Sequence, residues 1–341
     1  MRRVIQKAWT GRSALACLLW PLSLVYRAAT SAHRHLYKAG ILKSARMPLP
    51  VIVVGNVVAG GGGKTPLVIA LVQRLQNAGM KAGVVSRGYG RQGAACQEVT
   101  LATPVLESGD EPMLIKRRTG APVFVGVKRV AAARALLQAY PQTQVLVCDD
   151  GLQHYAMCRD IEIIVFDDRG TGNGWLLPAG PLRESWPALG DVTPRLVLHT
   201  GNKPAFEGFT STRRLAANAV AMDGTLVPMS TFVGKPVIAL AAIANPQAFF
   251  DMLGLGGIML SQTIALPDHH PVSDADLQGI LDAAILCTEK DAVKLVALPQ
   301  TANVLAVPLE FEPEPAFFKA LDALLIPLLS QLPLSHGTQT A

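Results

Sequence analysis

The stretch from Pro50 to Gly79 constrains the fold more tightly than any other part of the chain. PVIVVG (50–55) is a β-branched run suited to a buried parallel strand, it leads into NVVAGGGGKTP (56–66), and LVIALVQRLQNAG (67–79) follows at helical spacing. Strand, glycine loop, Lys-Thr and helix in that order form the context of a phosphate-binding P-loop. Gly60, Gly61, Gly62 and Gly63 let main-chain N–H groups close around β- and γ-phosphates where a Cβ would obstruct the approach. Lys64 supplies a positive charge, Thr65 offers a hydroxyl to Mg²⁺, and the new helix N-terminus favours anions. Val58 stands where the pattern G-x-x-x-x-G-K-[ST] has its first glycine, and Ala59 occupies the place where deviant-loop ATPase switches carry an extra lysine. A plain flexible glycine turn would leave Lys-Thr, placed between a strand and a helix, without a reason.

At 341 residues, half of them apolar and 16% charged, the chain can bury a sizeable core and is long enough for two domains. Alternating strand and helix patterns over 47–229 predict a P-loop NTPase-like α/β domain with a mostly parallel sheet. A smaller α/β domain is expected over 230–333, with strands at 236–243, 258–266, 283–287 and 303–309, followed by a polar, disordered tail at 334–341. The five cysteines, Cys17, Cys96, Cys148, Cys158 and Cys287, form no C-x-x-C pair and read as reduced thiols.

Of the 31 Lys and Arg residues, 14 precede Glu98, which is the first acidic residue; the remainder of the chain holds all 25 acidic groups. A basic first third on an acidic body calls for an anionic partner at one end, whether phosphate, nucleic acid or lipid headgroup. Residues 13–26, SALACLLWPLSLVY, are uncharged, shorter than the roughly 20 residues a spanning helix needs, and interrupted by Pro21. No cleavage site of a secretory signal follows. Arginines and lysines flank this stretch, and Trp9, Trp20, Tyr26 and Tyr37 add amphipathic rings, so residues 1–46 are read as a membrane-associating helix on an anionic surface. Nucleic acid fits poorly, because the charges interleave with apolar residues and no recognition module is present.

Phosphoryl transfer also needs carboxylates. VLVC (145–148) ends in Asp149-Asp150, where a Mg²⁺ ligand belongs at a strand's C-terminal end, and Asp167-Asp168 after IEIIVF has the same local logic. Asp110 opens a helical pattern, as a base or simply as an N-cap. Asp268-His269-His270 falls in a loop before a Ser273-Asp276 cap.

Taken in order, these segments resemble the tetraacyldisaccharide 4'-kinase family of lipid A biosynthesis over nearly the whole chain. The motifs are LLWPLSLVY, VGNVVAGGGGKTP, SRGYGR (86–91), GDEPMLIKRR (109–118), VCDDGLQH (147–154), RDIEIIVFDDRGTGNGWLLPAGPLRE (159–184), PDHH (267–270) and CTEKDAVKL (287–295). The family's usual loop is GGTGKTP, so Gly62 is a small departure. The resemblance implies transfer of the γ-phosphoryl of ATP, with Mg²⁺, to the 4'-hydroxyl of a lipid A disaccharide 1-phosphate precursor. It further implies a location at the cytoplasmic face of the bacterial inner membrane. It places the base on Asp110 supported by His269, with His270 an alternative, and the paired metal-side carboxylates on Asp149 and Asp150. His154, Arg183 and Glu184 fall in segments near the lipid-sugar headgroup. A membrane-associated P-loop NTPase switch or assembly factor, with water as acceptor, is the rival reading.

Overall fold

The computed structural model describes residues 8–187, 193–278, 283–295 and 303–331, so the tail expected at 334–341 lies outside the described residues. In chain order its strands are β1 (Val51–Gly55), β2 (Ala82–Ser86), β3 (Gln97–Glu98), β4 (Val123–Val125), β5 (Val145–Asp149), β6 (Ile161–Phe166), β7 (Arg195–His199) and β8 (Phe209–Leu215). There follow β9 (Asn218–Ala221), β10 (Leu226–Pro228), β11 (Pro236–Ala241), β12 (Met259–Ala265), β13 (Ile285–Thr288), β14 (Val304–Val307) and β15 (Leu309–Pro313).

The larger sheet runs β15-β8-β7-β6-β1-β5-β2-β4-β3. Its pairings are parallel from β8 to β4, and only the outermost strands are antiparallel. β1 lies at the middle with all five residues buried, which is why its sequence is continuously apolar rather than alternating. Helices Lys64–Asn77, Asp110–Thr119 and Pro315–Ser330 contribute Leu67, Leu71, Met113, Ile115, Phe317 and Leu321 to the core on one face. Helix Arg129–Ala139 and the loops after β5 and β6 cover the other, through Ala132, Leu136, Leu152 and Leu182. Register aligns Val54 of β1 with Asp149 of β5, so the glycine loop and the end of β5 emerge side by side.

The smaller sheet runs β10-β9-β14-β13-β11-β12 and includes all four strands anticipated there. Two segments fall on the other side of the anticipated 229/230 division. Residues 218–228 form a hairpin whose β9 pairs antiparallel with β14 in the smaller sheet. After β14 the chain returns to the larger sheet, where β15 pairs with β8 and the following helix buries Phe317, Leu321 and Leu325. Strand alternation shows that a segment is a strand but not which edge it joins.

The N-terminal helix spans Ala14–Lys38, with the Ser13 hydroxyl accepting from the Ala16 N–H at 3.3 Å. It passes through Pro21 without a break, in contrast to the interruption anticipated from the sequence. Pro21 lies on the exposed side, where a carbonyl freed by the missing N–H can reach water. At 25 residues the helix is long and apolar enough, by length and composition, to cross a membrane. Leu18, Leu22 and Val25 are exposed, at 76%, 57% and 67%. Ser23 and Tyr26 hold the opposite side, donating to the carbonyls of Leu176 (2.8 Å) and Arg183 (3.0 Å).

Candidate active site

Loop 56–63 leaves β1 and delivers Lys64 to the first turn of its helix. Gly60 and Gly63 have φ of 105° and 83°, in the region that favours glycine. A Cβ on Gly63 would run into the Arg213 guanidinium and lie 3.3 Å from Thr200. Loop carbonyls are tied down from three directions: Asn56 Nδ2 donates to Gly60 O (3.2 Å), Arg169 Nη2 to Gly61 O (3.1 Å) and Thr200 Oγ1 to Gly62 O (2.8 Å). The smaller unit also reaches the loop, since a Cβ on Gly61 would sit 2.9 Å from that of Ala244.

Lys64 Nζ lies 3.4 Å from Asp150 Oδ1, and Arg183 Nη1 lies 3.1 Å from the same oxygen. Burial works to raise the Asp150 carboxyl, but Lys64 and then Arg183 outweigh it and hold the group below its ordinary range. Asp150 adopts φ 48°, and Arg129 Nη2 donates to its carbonyl at 3.1 Å. Asp149 is buried at the end of β5. Ser86 Oγ donates to its Oδ2 at 3.1 Å, while Oδ1 has no hydrogen-bond partner among the described residues. Burial, then Glu111 and Asp150, push this carboxyl up to about 7.

A buried carboxylate oxygen left without a donor fits a cation. Mg²⁺ takes one or two carboxylates and otherwise prefers phosphate and water. Among the described residues no cluster of three or more His, Cys, Asp or Glu offers an all-protein cage. The competing pair is committed elsewhere: Asp167 receives Arg169 Nη2 at 2.7 Å, and Asp168 Oδ1 accepts from Lys203 N at 2.6 Å.

Asp110 is the first residue of helix Asp110–Thr119, after Gly109 at φ 86°, so the N-cap position belongs to the glycine. It is buried and faces His269, whose Nδ1 lies 3.1 and 3.0 Å from the two carboxylate oxygens. A carboxylate only accepts, so Nδ1 carries the hydrogen. His269 itself holds φ 64°. Its neighbour His270 points instead to Asp276 at 3.2 Å, within the Ser273 cap. The hydrogen bond to Asp110 raises the His269 imidazole above its usual value despite burial. On Asp110, burial raises and the His269 bond and Lys290 lower, with a net depression.

The SRGYGR turn ties these parts together. Ser86 holds Asp149, a Cβ on Gly109 would lie 3.2 Å from the Gly88 Cα, and the Tyr89 ring lies 5.1 Å from that of His269. Of the headgroup candidates, Arg183 is drawn to Asp150. Glu184 accepts from Gln153 (2.6 Å) and Tyr155 (2.9 Å). His154 follows the Asp149-Asp150 turn, and its half-buried ring is pushed down to about 4 by burial and then by Arg129 and Arg159. Its Nε2 has no hydrogen-bond partner among the described residues. The sequence reading passed over Arg129, Tyr89 and Lys290 as site residues; the last two sit in the motifs SRGYGR and CTEKDAVKL, which were the available signal.

A parallel sheet that presents a phosphate loop beside one carboxylate pair, and meets a histidine from a second unit at another carboxylate, defines a P-loop phosphotransferase. Residues 15–326 match the family described as tetraacyldisaccharide-1-P 4'-kinase, and the chain belongs to that family. It is 60% identical to the tetraacyldisaccharide 4'-kinase of Polaromonas naphthalenivorans, covering 100% of both chains. It is 52% identical to that of Acidovorax sp. (strain JS42), covering 96% of this chain and 95% of the other. The fold is similar to the crystal structure of LpxK from Aquifex aeolicus in complex with ATP, with a TM-score of 0.78 and 27% identity over 91% of this chain and 99% of that one.

Proposed function

We propose that this chain transfers the γ-phosphoryl group of ATP to the 4'-hydroxyl of a tetraacylated glucosamine disaccharide 1-phosphate in lipid A biosynthesis. One observation carries the reading beyond the family match: a buried carboxylate, Asp110, is aligned by a histidine from the other unit, as a hydroxyl acceptor requires. Family membership does not favour the rival NTPase switch.

Loop amides from Gly60 to Gly63 and the Lys64 ammonium would hold the β- and γ-phosphates. Thr65, Asp149 and Asp150 are the residues that would hold Mg²⁺, which when bound neutralises charge on those phosphates. The unpartnered Oδ1 favours Asp149 over Asp150, which Lys64 and Arg183 already engage. Asp110 takes the proton of the acceptor hydroxyl as its oxygen bonds to the γ-phosphorus. The bond from that phosphorus to the β–γ bridging oxygen breaks, and ADP leaves. His269 keeps Asp110 oriented throughout. In such a loose transition state, positioning and charge stabilisation supply most of the rate.

His154, Arg183 and Glu184 would meet the sugar headgroup. An acylated acceptor stays in the bilayer, and the exposed apolar side of helix Ala14–Lys38 supports membrane association, peripheral or shallowly inserted. The location that goes with the reaction is the anionic, cytoplasmic face of the bacterial inner membrane. Incubation with ATP labelled at the γ-phosphate and a panel of glycolipid acceptors tests the function. Label should enter the tetraacylated disaccharide 1-phosphate; ATP turnover indifferent to any acceptor would restore the switch reading.

A further inference from the structure

Strand β8 runs past the end of its parallel neighbour. His199, the last residue of β7, stands opposite Thr210, and β8 continues to Leu215 with β15 as its remaining partner. At about 3.3 Å per residue, Arg213 stands about 10 Å beyond the edge at which β7 ends. Its side chain turns back over the glycine loop, where the guanidinium occupies the space that a Cβ on Gly63 would need, beside Thr200. We propose, on the reading of loop 60–63 as the phosphate cradle, that Arg213 is a nucleotide-binding residue whose guanidinium takes the α- and β-phosphates of ATP and stays with them in ADP.

Nothing in the protein itself accounts for this placement. Among the described residues Arg213 makes no hydrogen bond or ion pair. The Phe311 ring centre lies 5.9 Å from its guanidinium carbon, at the outer limit of a cation–π contact. The side chain keeps contact with solvent, as a ligand-binding group must. Its surroundings nevertheless desolvate the guanidinium and, against the pull of Asp167 and Asp168, hold it below its ordinary value. A partly desolvated cation without an anion carries a cost that an incoming phosphate removes. The neighbouring arginines differ. Arg214, on the opposite side of the strand, pairs with its cross-strand neighbour Glu310, and Arg169 is committed to Asp167 and the Gly61 carbonyl.

Position along the sheet decides which phosphates Arg213 meets. Asp149 and Asp150 lie on the β5 side of the loop, where Lys64 joins Asp150, and Asp110 begins the helix that leads to β4, further out in the same direction. The strand order β8-β7-β6-β1-β5 brings Arg213 to the loop from the opposite side, with Thr200 at the end of β7 holding the Gly62 carbonyl. The γ-phosphoryl must face the carboxylates and the acceptor, so the ADP portion extends toward β7 and β8. An arginine there binds substrate and product alike, and such uniform binding lowers KM without raising kcat. Guanidinium also suits phosphate, which it meets with paired, charge-assisted hydrogen bonds.

Calorimetric titrations of the full-length protein with Mg-ATP and Mg-ADP, thermal melts without nucleotide and steady-state kinetics test this on Arg213→Met, Arg213→Lys and Arg214→Met. Arg213→Met should weaken ATP and ADP by a common factor of about 10- to 100-fold and raise the KM for ATP accordingly, with kcat and the KM for the lipid disaccharide within about threefold. Its nucleotide-free melting temperature should not fall, because the guanidinium has no partner to lose. Arg213→Lys should recover part of the affinity, since the charge remains, and Arg214→Met should bind both nucleotides as before. Unchanged affinity in Arg213→Met, a loss for ATP without one for ADP, or equal weakening in Arg214→Met overturns the proposal. A lowered nucleotide-free melting temperature, or an Arg213→Met protein that does not fold, marks the arginine as structural and overturns it too. Failure of the phosphate-cradle reading gives a different result, in which the unaltered protein binds neither nucleotide.

Discussion

His269 Nδ1 donates to both oxygens of Asp110, at 3.1 and 3.0 Å, joining a loop of the smaller unit to the first residue of a helix on the larger one. Asp110→Ala should lower kcat by about 10²- to 10⁴-fold while changing the KM for ATP little, because a base acts on the acceptor and the loop binds the nucleotide. His269→Ala should cause a smaller loss of the same kind. Rates at saturating ATP and acceptor check both, and an Asp110 variant with unchanged kcat would remove it from the chemistry.

The same pair makes stability depend on pH in a definite direction. The His269 imidazole is raised, so its contribution is complete below the ordinary value of about 6.5 and fades as pH climbs through the raised one. The Asp110 carboxyl is depressed, so its contribution is complete above the ordinary carboxylate value and fades as pH falls through the depressed one. The melting-temperature gap between the protein and His269→Gln should be widest between those limits and close toward both extremes; a gap that grows steadily into alkali contradicts the pairing.

Gly63→Ala should weaken nucleotide binding by about tenfold or more. The residue sits at φ 83°, which an L side chain adopts only with strain, and a methyl group would lie 3.3 Å from Thr200 and displace the Arg213 guanidinium at the point where Lys64 begins the helix. Lys64→Ala should instead leave the loop folded, raising the KM for ATP and lowering kcat together. Calorimetric titration with Mg-ATP and thermal melts distinguish the two: both bind more weakly, and only Gly63→Ala also lowers the melting temperature.

Asp149→Asn should raise the Mg²⁺ concentration needed for half-maximal rate by tenfold or more, because an amide cannot supply the charge that the carboxyl with the open Oδ1 gives when a cation displaces its proton. Asp167→Asn, at a residue held by Arg169, should shift it far less. Magnesium titrations at fixed ATP compare them, and equal effects would return the two pairs to equal standing.

Leu18→Glu with Val25→Glu should release the protein from vesicles rich in anionic lipid while leaving the fold intact, since both side chains are more than half exposed. Cosedimentation reads the outcome; a double variant that still pellets with vesicles would move membrane contact to another surface.

Much of the site was legible because its parts are contiguous. A buried strand, four glycines, Lys64, Thr65 and an amphipathic helix encode the phosphate loop by local geometry, and the four strands anticipated in the smaller sheet were visible as short apolar runs. The choice of Asp149 over Asp167 was not legible from pattern alone, since both follow apolar strands. Their difference lies in what surrounds them: Ser86 and an open oxygen for one, Arg169 for the other. Pro21 lies inside the helix because, on its exposed side, the freed carbonyl can reach water and the ring has room to bend away from it.

By itself the sequence determined the phosphate loop, the family and the basic, apolar character of the N-terminal helix, all set by near neighbours along the chain. Tertiary structure alone decided that His269 rather than His270 reaches across 159 residues to Asp110, that Lys290 joins them, and that Phe317 closes the core of the larger sheet. Such contacts depend on how whole layers pack, and packing brings together residues whose separation along the chain carries no periodic signal.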